Sequence, residues 1–450
     1  MRNYLDSFLS ALCRLVARTF FRRVELVGLE RFPRGRPLLV VANHGNNLID
    51  PMLLFGFLPV PVRFLAKSTL WESRGLRCLM QLGGAIPVYR RQDAADVSQN
   101  LETFARCRET LADGGAIALF PEGLSHDQPA LQPLKTGVAR IALEAESEHG
   151  PLGVRIVPVG LIFECRHEFR SRVLIQVGEP LGLAADIERH TQEPEITVRE
   201  LTRRVGEALA GVTLNYDSWN DARLIERAAD IFARPELDVP SSGKLAARVP
   251  VRQAVIEGYR ELASEHPERI GQLAAQVERY DRLLRLAGLS DEQVASSYPR
   301  SRVARFVGLT TVRLLLFLPV ALAGTLLNWL PYRIPGWVSR HLRLERKTNE
   351  PATYKVMISF FLFPLFWLVE SLLAGKLWGP LAGLGMAFFA PLSGYIALLF
   401  HEHLGRFRGE SRAYLLQRSR SRLIRELAPL RQSIYEEVVE LAELYRQRGN

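Results

Sequence analysis

Two short segments of this chain place a histidine close to a carboxylate at the end of an apolar run. The first contains His44 and Asp50, and the second contains Glu122, His126 and Asp127. An imidazole accepts a proton near neutral pH, and a carboxylate beside it fixes its tautomer and stabilises its cation. Such a pair can act as the general base of an acyl transfer once an alcohol and an activated acyl group are bound.

Asp50 also has a structural explanation, because an acidic residue followed by Pro51 is typical of the start of a helix. The two roles are compatible. A polar loop carries His44 between two apolar segments, and functional residues concentrate in such loops. We therefore treat His44 and Asp50 as candidate catalytic residues.

Three further candidate residues, Arg90, Lys135 and Pro158, lie in or next to apolar runs. Arg90 comes directly after the run 86–89, where a guanidinium can bind phosphate through paired hydrogen bonds; a solvated surface arginine is the competing interpretation. Lys135 precedes a predicted helix, and a helix N-terminus with a nearby lysine suits an anion. Pro158 lies inside a further apolar run, where proline is typical of a kinked edge strand.

Residues 24–216 have the alternating pattern of an α/β domain. Apolar, β-rich runs predict strands at 37–41, 86–89, 116–120, 154–163 and 173–177. Helical spacing predicts helices at 98–112 and 136–148. This alternation indicates a mostly parallel sheet covered by helices. Ligands bind where the strands of such sheets end, and we expect His44, Arg90 and Glu122 there.

The remaining segments are predicted to be helical. Residues 1–23 form an amphipathic N-terminal helix, which either lies on a membrane surface or covers the core of the following domain. Residues 217–300 are rich in Ala, Arg, Glu and Leu and predict a helical module. Residues 403–450 predict a charged helical tail at the surface or against a partner.

The region 301–402 has the composition of membrane-embedded helices. Three segments are long and nearly free of charge, at 314–330, 356–373 and 377–400. About 20 apolar residues cross the hydrocarbon core of a bilayer, and the second and third segments satisfy this length. Pro319 interrupts the first. Because basic residues flank the region on both sides, we expect the first segment to re-enter or to lie in the interface.

The 450-residue chain is longer than one ordinary domain and carries a formal net charge of +10, with 52 Arg against 6 Lys. Arginine favours anionic substrates or lipid head groups. An arginine excess also fits GC-rich codon usage and a bacterial source. No nucleic acid is expected as a partner, because zinc-finger, RNP and basic-helix signatures are missing from the sequence.

The four cysteines are scattered without a C-x-x-C pair, so neither a zinc site nor a disulfide framework is expected, and a reducing environment fits. Cys165 stands beside Arg166 and His167, which suggests a nucleophile with a base. We interpret Cys165 instead as a buried thiol after the strand 154–163.

Four blocks of residues occur in the order and spacing of the motifs of the phospholipid/glycerol acyltransferase superfamily, which this chain resembles. The blocks are Val41–Pro51, Gly84–Arg90, Phe120–Gly123 and Val157–Val159. Most of the superfamily has four residues between the histidine and the aspartate, whereas this chain has five, Gly45 to Ile49.

This longer spacing is similar to that of the fungal-type glycerol-3-phosphate/dihydroxyacetone phosphate acyltransferases. Ser125-His126-Asp127 and Pro133-Leu134-Lys135 beyond the glutamate support the same similarity. The stretch Val212–Asn215 and the membrane segments near the C-terminus extend it.

The resemblance implies an α/β acyltransferase domain and specific catalytic roles. His44 would remove the proton from an acceptor hydroxyl as it attacks an acyl thioester, and Asp50 would orient His44 and stabilise its cation. The departing thiolate needs little acid assistance, so no covalent acyl-enzyme is required.

The resemblance also implies a substrate site. Arg90 and Glu122 match positions that bind the glycerol-phosphate part of the acceptor. Gly123 would let the backbone approach the substrate, and Pro158 matches the motif that is linked to the acyl donor. Charge and position add Lys135 and His126 as further phosphate contacts.

The predicted function is therefore that of a membrane-bound acyltransferase acting on glycerol 3-phosphate or dihydroxyacetone phosphate in phospholipid biosynthesis. No metal or cofactor is expected, and an acyl-CoA or acyl carrier protein thioester would be the co-substrate. The expected partners are this thioester, the glycerol phosphate acceptor and membrane lipids. The predicted location is a bacterial inner membrane, with the catalytic domain facing the cytoplasm.

Three other functions stay open at this point. A lysophospholipid or 1-acylglycerol-3-phosphate acyltransferase would use the same site. A catalytically idle, membrane-shaping homologue would not need the complete set of His44, Asp50, Arg90 and Glu122. A hydrolase with His44 as base would need a nucleophile elbow or a metal-ligand cluster, and the sequence shows neither.

Overall fold

The computed structural model describes residues 2–72, 74–90, 97–166, 168–233, 244–296, 298–341, 351–419 and 422–448. The chain forms two compact units, Met1–Asp217 and Ser218–Asn450. The candidate catalytic residues all belong to the first unit.

A single sheet organises the first unit. Its strands are β1 Arg23–Val27, β2 Leu38–Ala42, β3 Val62–Lys67, β4 Ile86–Val88, β5 Ala116–Leu119, β6 Arg155–Phe163 and β7 Arg172–Val177. The strand order is β1-β7-β6-β2-β5-β3-β4. All neighbouring strands are parallel except β6 and β7. The predicted mostly parallel α/β fold is therefore confirmed.

The sheet has two strands, β1 and β3, that the sequence did not predict. Apolar runs do not reveal β1 or β3, because Glu25 and Arg63 interrupt them. The alternative interpretation of Pro158 as the mark of a kinked edge strand is wrong, since β6 lies between β7 and β2. Pro158 has no N–H to donate, but its carbonyl accepts the backbone N–H of Gly178 at 2.9 Å.

Within the described residues, seven α-helices accompany the sheet. They are α1 Arg2–Phe20, α2 Ile49–Phe57, α3 Arg74–Leu82, α4 Asn100–Ala112, α5 Gly137–His149, α6 Ala184–Gln192 and α7 Pro194–Ala210. On one face, Leu39 and Ile117 of the strands form a buried core with Cys107 of α4, Ile141 of α5 and Leu201 of α7. Burial raises the pKa of the Cys107 thiol to about 12, so Cys107 is a packed, protonated core side chain.

Helix α1 packs on the first unit through polar contacts as well as through the buried Ala17 and Phe20. Arg14 donates to the carbonyl of Gly56 in α2 at 3.1 Å, and Asp6 accepts from Arg63 of β3 at 2.6 Å. Phe8 and Leu15, two apolar residues of this amphipathic helix, are exposed. The helix therefore packs against the domain and still presents apolar side chains to its surroundings.

The second unit is helical. Its helices are α8 Trp219–Phe232, α9 Leu245–Glu265, α10 Pro267–Ala287, α11 Asp291–Ala295, α12 Arg300–His341, α13 Pro351–Trp378, α14 Pro380–Arg418 and α15 Arg422–Arg448. Three of them, over Val303–His341, Tyr354–Trp378 and Pro380–Arg418, are long and apolar enough to cross a membrane. Asn328 of α12 joins them, because it donates to the carbonyl of Ala390 at 3.2 Å and accepts from the indole of Trp367 at 2.8 Å.

The start and the end of the second unit share one core. Leu224 of α8 and Leu284 of α10 are buried in the same hydrophobic cluster as Ile434 of α15. Asp291 accepts from Tyr280 at 2.8 Å and from Arg431 of α15 at 2.9 Å. Burial, together with the charge of Asp291, raises the pKa of Tyr280 above its usual range. The tail and the helical module, which were predicted as separate segments, therefore pack as one body.

Candidate active site

His44 and Asp50 are in direct contact. The Nδ1 atom of His44 lies 2.9 Å from the Oδ2 atom of Asp50, and the Asp50 side chain is fully buried. An ionised Asp50 is an acceptor only, so Nδ1 carries the proton and Nε2 keeps its lone pair. Among the residues that the structure describes, Nε2 has no hydrogen-bond partner. This is the arrangement that a general base requires.

The five-residue spacing is accommodated because His44 is not part of the helix. His44 lies in the loop that follows β2, and Asp50 lies in the first turn of α2. The turn between them places the backbone N–H of Asn46 2.7 Å from the same Oδ2 atom. A carboxylate in the first turn is also favoured by the helix dipole. Asp50 thus orients His44 and stabilises the start of the helix.

Asn43 links the loop that carries His44, the candidate catalytic loop, to the neighbouring strand β6. Its side-chain amide donates to the carbonyl of Leu161 in β6 at 3.0 Å and accepts the N–H of Leu161 at 2.7 Å. These two bonds continue the β2–β6 ladder by one step beyond the end of β2. The direction in which the chain leaves the strand is therefore fixed immediately before His44.

The segment after β5 holds His44 from two further sides. The imidazole stacks on the ring of Phe120, with centroids 3.9 Å apart and an interplanar angle of 9°. The backbone N–H of His44 donates to Oε1 of Glu122 at 3.0 Å, and its carbonyl accepts the N–H of His126 at 3.2 Å. Ring and backbone are thus both immobilised.

Glu122 and His126, which both contact the backbone of His44, form a second histidine–acid pair. The Nε2 atom of His126 donates to Oε2 of Glu122, and its Nδ1 atom accepts the N–H of Gln128 at 3.1 Å. Oε2 also accepts the N–H of Gln132 at 2.8 Å, and the residue Glu122 is only 2% exposed. Both oxygens of Glu122 and both ring nitrogens of His126 therefore already bind the chain itself.

Arg90, Gly123 and Lys135 lie together. Arg90 donates to the carbonyl of Gly123 at 3.0 Å. Gly123 has a φ of +71°, and a Cβ atom built on it would lie 2.6 Å from the Nζ atom of Lys135. The backbone conformation therefore favours glycine here, and any other side chain would have to displace Lys135. Two cations of the predicted phosphate site thus border one loop.

Pro158 lies apart from this group. Its ring lies next to Gly178, close to the side chain of Val212. Its backbone pairs with that of Val41 in β2. Its predicted role toward the acyl donor stays a prediction.

Three residues near the site were not predicted from the sequence: Asn43, Asn46 and Arg166. Asn46 is fully buried beside Asp50, and neither of its side-chain polar atoms has a hydrogen-bond partner. Arg166 follows β6, and its guanidinium lies against Gly45. The neighbouring Cys165 is exposed, so its interpretation as a buried thiol is wrong; His167 lies outside the described residues. Within those residues, no three His, Cys, Asp or Glu side chains gather as a metal site.

Comparison with known proteins identifies the class of this site. Residues 23–162 match the family model described as Acyltransferase. That range contains the complete His44 site and five of the seven strands in full, with most of a sixth. These residues are therefore an acyltransferase-family domain.

Individual relatives extend the similarity. Glycerol-3-phosphate O-acyltransferase 2 of Saccharomyces cerevisiae is 28% identical over 298 residues, which cover 62% of this chain and 39% of the yeast protein. An uncharacterized acyltransferase of Schizosaccharomyces pombe is 24% identical over 79% of this chain and 66% of its own length. 1-acyl-sn-glycerol-3-phosphate acyltransferase alpha of Ovis aries is 30% identical, but over 36% of this chain and 57% of its own length. The chain thus spans about two fifths of the Saccharomyces protein.

Proposed function

We propose that this protein transfers a fatty acyl group from an acyl thioester to glycerol 3-phosphate or dihydroxyacetone phosphate. The observation that carries the proposal is the hydrogen-bonded His44–Asp50 pair, together with Arg90 and Lys135, which border the neighbouring loop at Gly123. The pair supplies a base for a hydroxyl, and the cations suit a phosphorylated acceptor. The yeast relative named as a glycerol-3-phosphate O-acyltransferase is consistent with this choice.

The geometry supports a direct transfer. Nε2 of His44 takes the proton of the acceptor hydroxyl while the oxygen attacks the thioester carbonyl. Asp50, hydrogen-bonded at Nδ1, stabilises the imidazolium that forms. Collapse of the tetrahedral intermediate breaks the carbon–sulfur bond and returns the carbonyl. The thiolate then takes the proton from the imidazolium, so His44 is neutral again when the ester and the free thiol leave.

The proposed substrate contacts follow from the charges of Arg90 and Lys135 and from their position beside Gly123. Arg90 and Lys135 would bind the acceptor phosphate, and Gly123 would allow the backbone to approach it. Contacts of Glu122, His126 and Pro158 with substrates stay predictions. The bonds of Glu122 and His126 to the His44 loop give these two residues a positioning role in addition.

The proposal allows two acyl donors and two kinds of acceptor. Either acyl-CoA or acyl carrier protein can deliver the thioester. Acylation of 1-acylglycerol 3-phosphate is the alternative reaction, and relatives named as 1-acyl-sn-glycerol-3-phosphate acyltransferases favour it, although they match a smaller part of the chain. An idle, membrane-shaping homologue is disfavoured because the His44–Asp50 geometry is intact.

The three long apolar helices support a membrane location. We propose that the catalytic domain faces the cytoplasm, where acyl thioesters and glycerol phosphates are found. The further prediction of a bacterial inner membrane rests on the arginine-rich composition alone, and the yeast relatives do not support it.

The test is an acyl-transfer assay on the purified full-length protein in detergent. Labelled glycerol 3-phosphate, dihydroxyacetone phosphate and lysophosphatidate are each offered with acyl-CoA and with acyl carrier protein thioesters. We expect transfer to one of the two unacylated acceptors. Transfer to lysophosphatidate alone would replace the proposal with the alternative reaction.

A further inference from the structure

Arg166 stands in the loop that follows β6, next to the catalytic loop. β6 is the direct neighbour of β2 in the sheet, and the two strands run in the same direction. The segments that follow them therefore leave the same edge of the sheet. One carries His44 and the other carries Arg166.

The guanidinium of Arg166 occupies the space that a side chain at position 45 would fill. A Cβ atom built on Gly45 would lie 3.1 Å from Cζ and 3.2 Å from Nη1 of Arg166. The φ of Gly45 is outside the left-handed region that favours glycine, so its backbone does not require this residue. The approach of Arg166 leaves little room for a side chain at this position. Since neighbouring Cα atoms are about 3.8 Å apart, Cζ is within about 9 Å of the Cα atom of His44.

Arg166 is held in place without being closed off from ligands. Its Nη1 atom lies 3.3 Å from Oδ1 of Asp127, at the end of the segment that carries Glu122 and His126. The Arg166 and Asp127 side chains are 23% and 35% exposed. A guanidinium has five N–H donors in a planar fork, and 23% of the Arg166 side chain is exposed, so an anion can reach part of this fork.

We infer that Arg166 binds the phosphate of the acceptor and thereby selects phosphorylated alcohols. This inference rests on the proposed acyl transfer and adds a specificity residue to it. Together with Arg90 and Lys135, Arg166 would complete a set of cations around the catalytic loop. A guanidinium suits this role because it pairs with two phosphate oxygens at once.

The acceptor phosphate fits this position better than the phosphates of the donor. In glycerol 3-phosphate, a short carbon chain separates the reacting hydroxyl from the phosphate. In a coenzyme A or carrier-protein thioester, the long pantetheine arm separates the reacting carbonyl from the nearest phosphate. Arg166 lies against the residue that follows His44, so the short spacing is the matching one.

The experiment compares Arg166→Ala and Arg166→Gln with the wild-type full-length protein. Arg199→Ala is the matched control, because Arg199 is an exposed arginine of α7 in the same unit, paired with Glu195 of its own helix. The measured quantities are kcat, KM for glycerol 3-phosphate, KM for the acyl thioester, and the ratio of kcat/KM between glycerol 3-phosphate and glycerol. Stabilisation of the protein against heat by inorganic phosphate is measured separately.

We expect both Arg166 variants to raise the KM for glycerol 3-phosphate about 10- to 100-fold, as the loss of a charged hydrogen bond does. The KM for the thioester should not change, and the preference for glycerol 3-phosphate over glycerol should fall by a similar factor. Phosphate should stabilise the wild type and the Arg199→Ala control more than either Arg166 variant.

Two kinetic results would overturn the inference: an equal decline with glycerol and glycerol 3-phosphate, or a rise in the thioester KM alone. The phosphate experiment does not depend on turnover. If the wild type transferred no acyl group, the proposed function would fail, and equal stabilisation of wild type and variants by phosphate would still reject Arg166 as a phosphate ligand.

Discussion

At the scale of residues, the candidate site consists of His44, the proposed base, and several side chains that hold it in place. His44 is fixed by Asp50 at its ring, by Phe120 at its face and by Glu122 at its backbone N–H. A base held in one orientation loses little entropy when the substrate binds, which is how positioning raises a rate. The supports should therefore affect kcat more than substrate affinity.

His126 tests this distinction. Replacement by Ala leaves Oε2 of the buried Glu122 without its histidine donor, so we expect a stability loss of about 1–3 kcal/mol and a lower kcat. His126→Gln can keep an N–H donor toward Glu122 and should recover part of the activity. Steady-state kinetics and thermal denaturation give both quantities. A rise in the acceptor KM with kcat unchanged would favour the direct phosphate contact predicted from the sequence.

Arg90 should show the opposite pattern. Its guanidinium donates to Gly123 beside Lys135, so Arg90→Ala should chiefly raise the apparent KM for the phosphorylated acceptor. Arginine–phosphate hydrogen bonds of this charged kind contribute about 1.5–3 kcal/mol. Kinetics with both substrates varied will separate the effects; a change confined to the thioester constant would assign Arg90 to the donor site.

At the scale of elements, the site is assembled where β2, β4, β5 and β6 end. The loop 120–127 connects these ends, because it contacts the loop of His44 and also accepts from Arg90. Its shape depends on Gly123, whose φ of +71° is unfavourable for other residues. One turn of this loop therefore controls the position of both the base and the cations.

Gly123→Ala should distort this loop. The left-handed φ costs about 1 kcal/mol for alanine, and the methyl group would displace the Lys135 side chain. We expect a lower melting temperature and a higher acceptor KM. Gly137→Ala is the control, because Gly137 begins α5 with an ordinary φ and open space around it, so its effect on stability should be neutral or slightly favourable. Equal behaviour of the two variants would contradict this explanation.

The sequence predicts much of this arrangement, and physical reasons limit the rest. His44, Arg90 and Glu122 were predicted near strand ends because apolar runs precede them, and Asp50 was predicted at the start of the following helix. The partners Asn43 and Leu161 are 118 positions apart, and Arg166 meets Gly45 from a different strand, so no local pattern reveals them. Strands β1 and β3 were not predicted because Glu25 and Arg63 interrupt their apolar patterns. The partner of Arg63 is Asp6 of α1, 57 positions away, so no local pattern shows that this charge is paired.

At the scale of the whole molecule, the second unit constrains the membrane topology. The helices before α12 and the helix α15 after α14 share one hydrophobic core. Such a core must lie on one side of a bilayer, so the chain crosses an even number of times between Ser296 and Arg422. Three helices are long enough to cross, and we predict that α13 and α14 cross as a hairpin while α12 does not cross completely.

Cysteine labelling tests this topology in the full-length protein. Single cysteines replace Glu265 of α9, Glu443 of α15 and Leu381 near the hairpin turn, in a background without the four native cysteines, of which Cys78 and Cys165 are exposed. We expect positions 265 and 443 to react from one side of sealed vesicles and position 381 from the other. Labelling of 265 and 443 from opposite sides would contradict the prediction.

The most direct test of the account is the rate of acyl transfer to glycerol 3-phosphate by purified wild-type protein and by His44→Ala. Loss of a general base typically reduces a rate by about 10²–10⁴-fold. We predict a loss of this size in a variant that remains folded and in the membrane, with the affinity for the acceptor retained. Near-normal turnover by folded His44→Ala protein would contradict the assignment of His44 as the base.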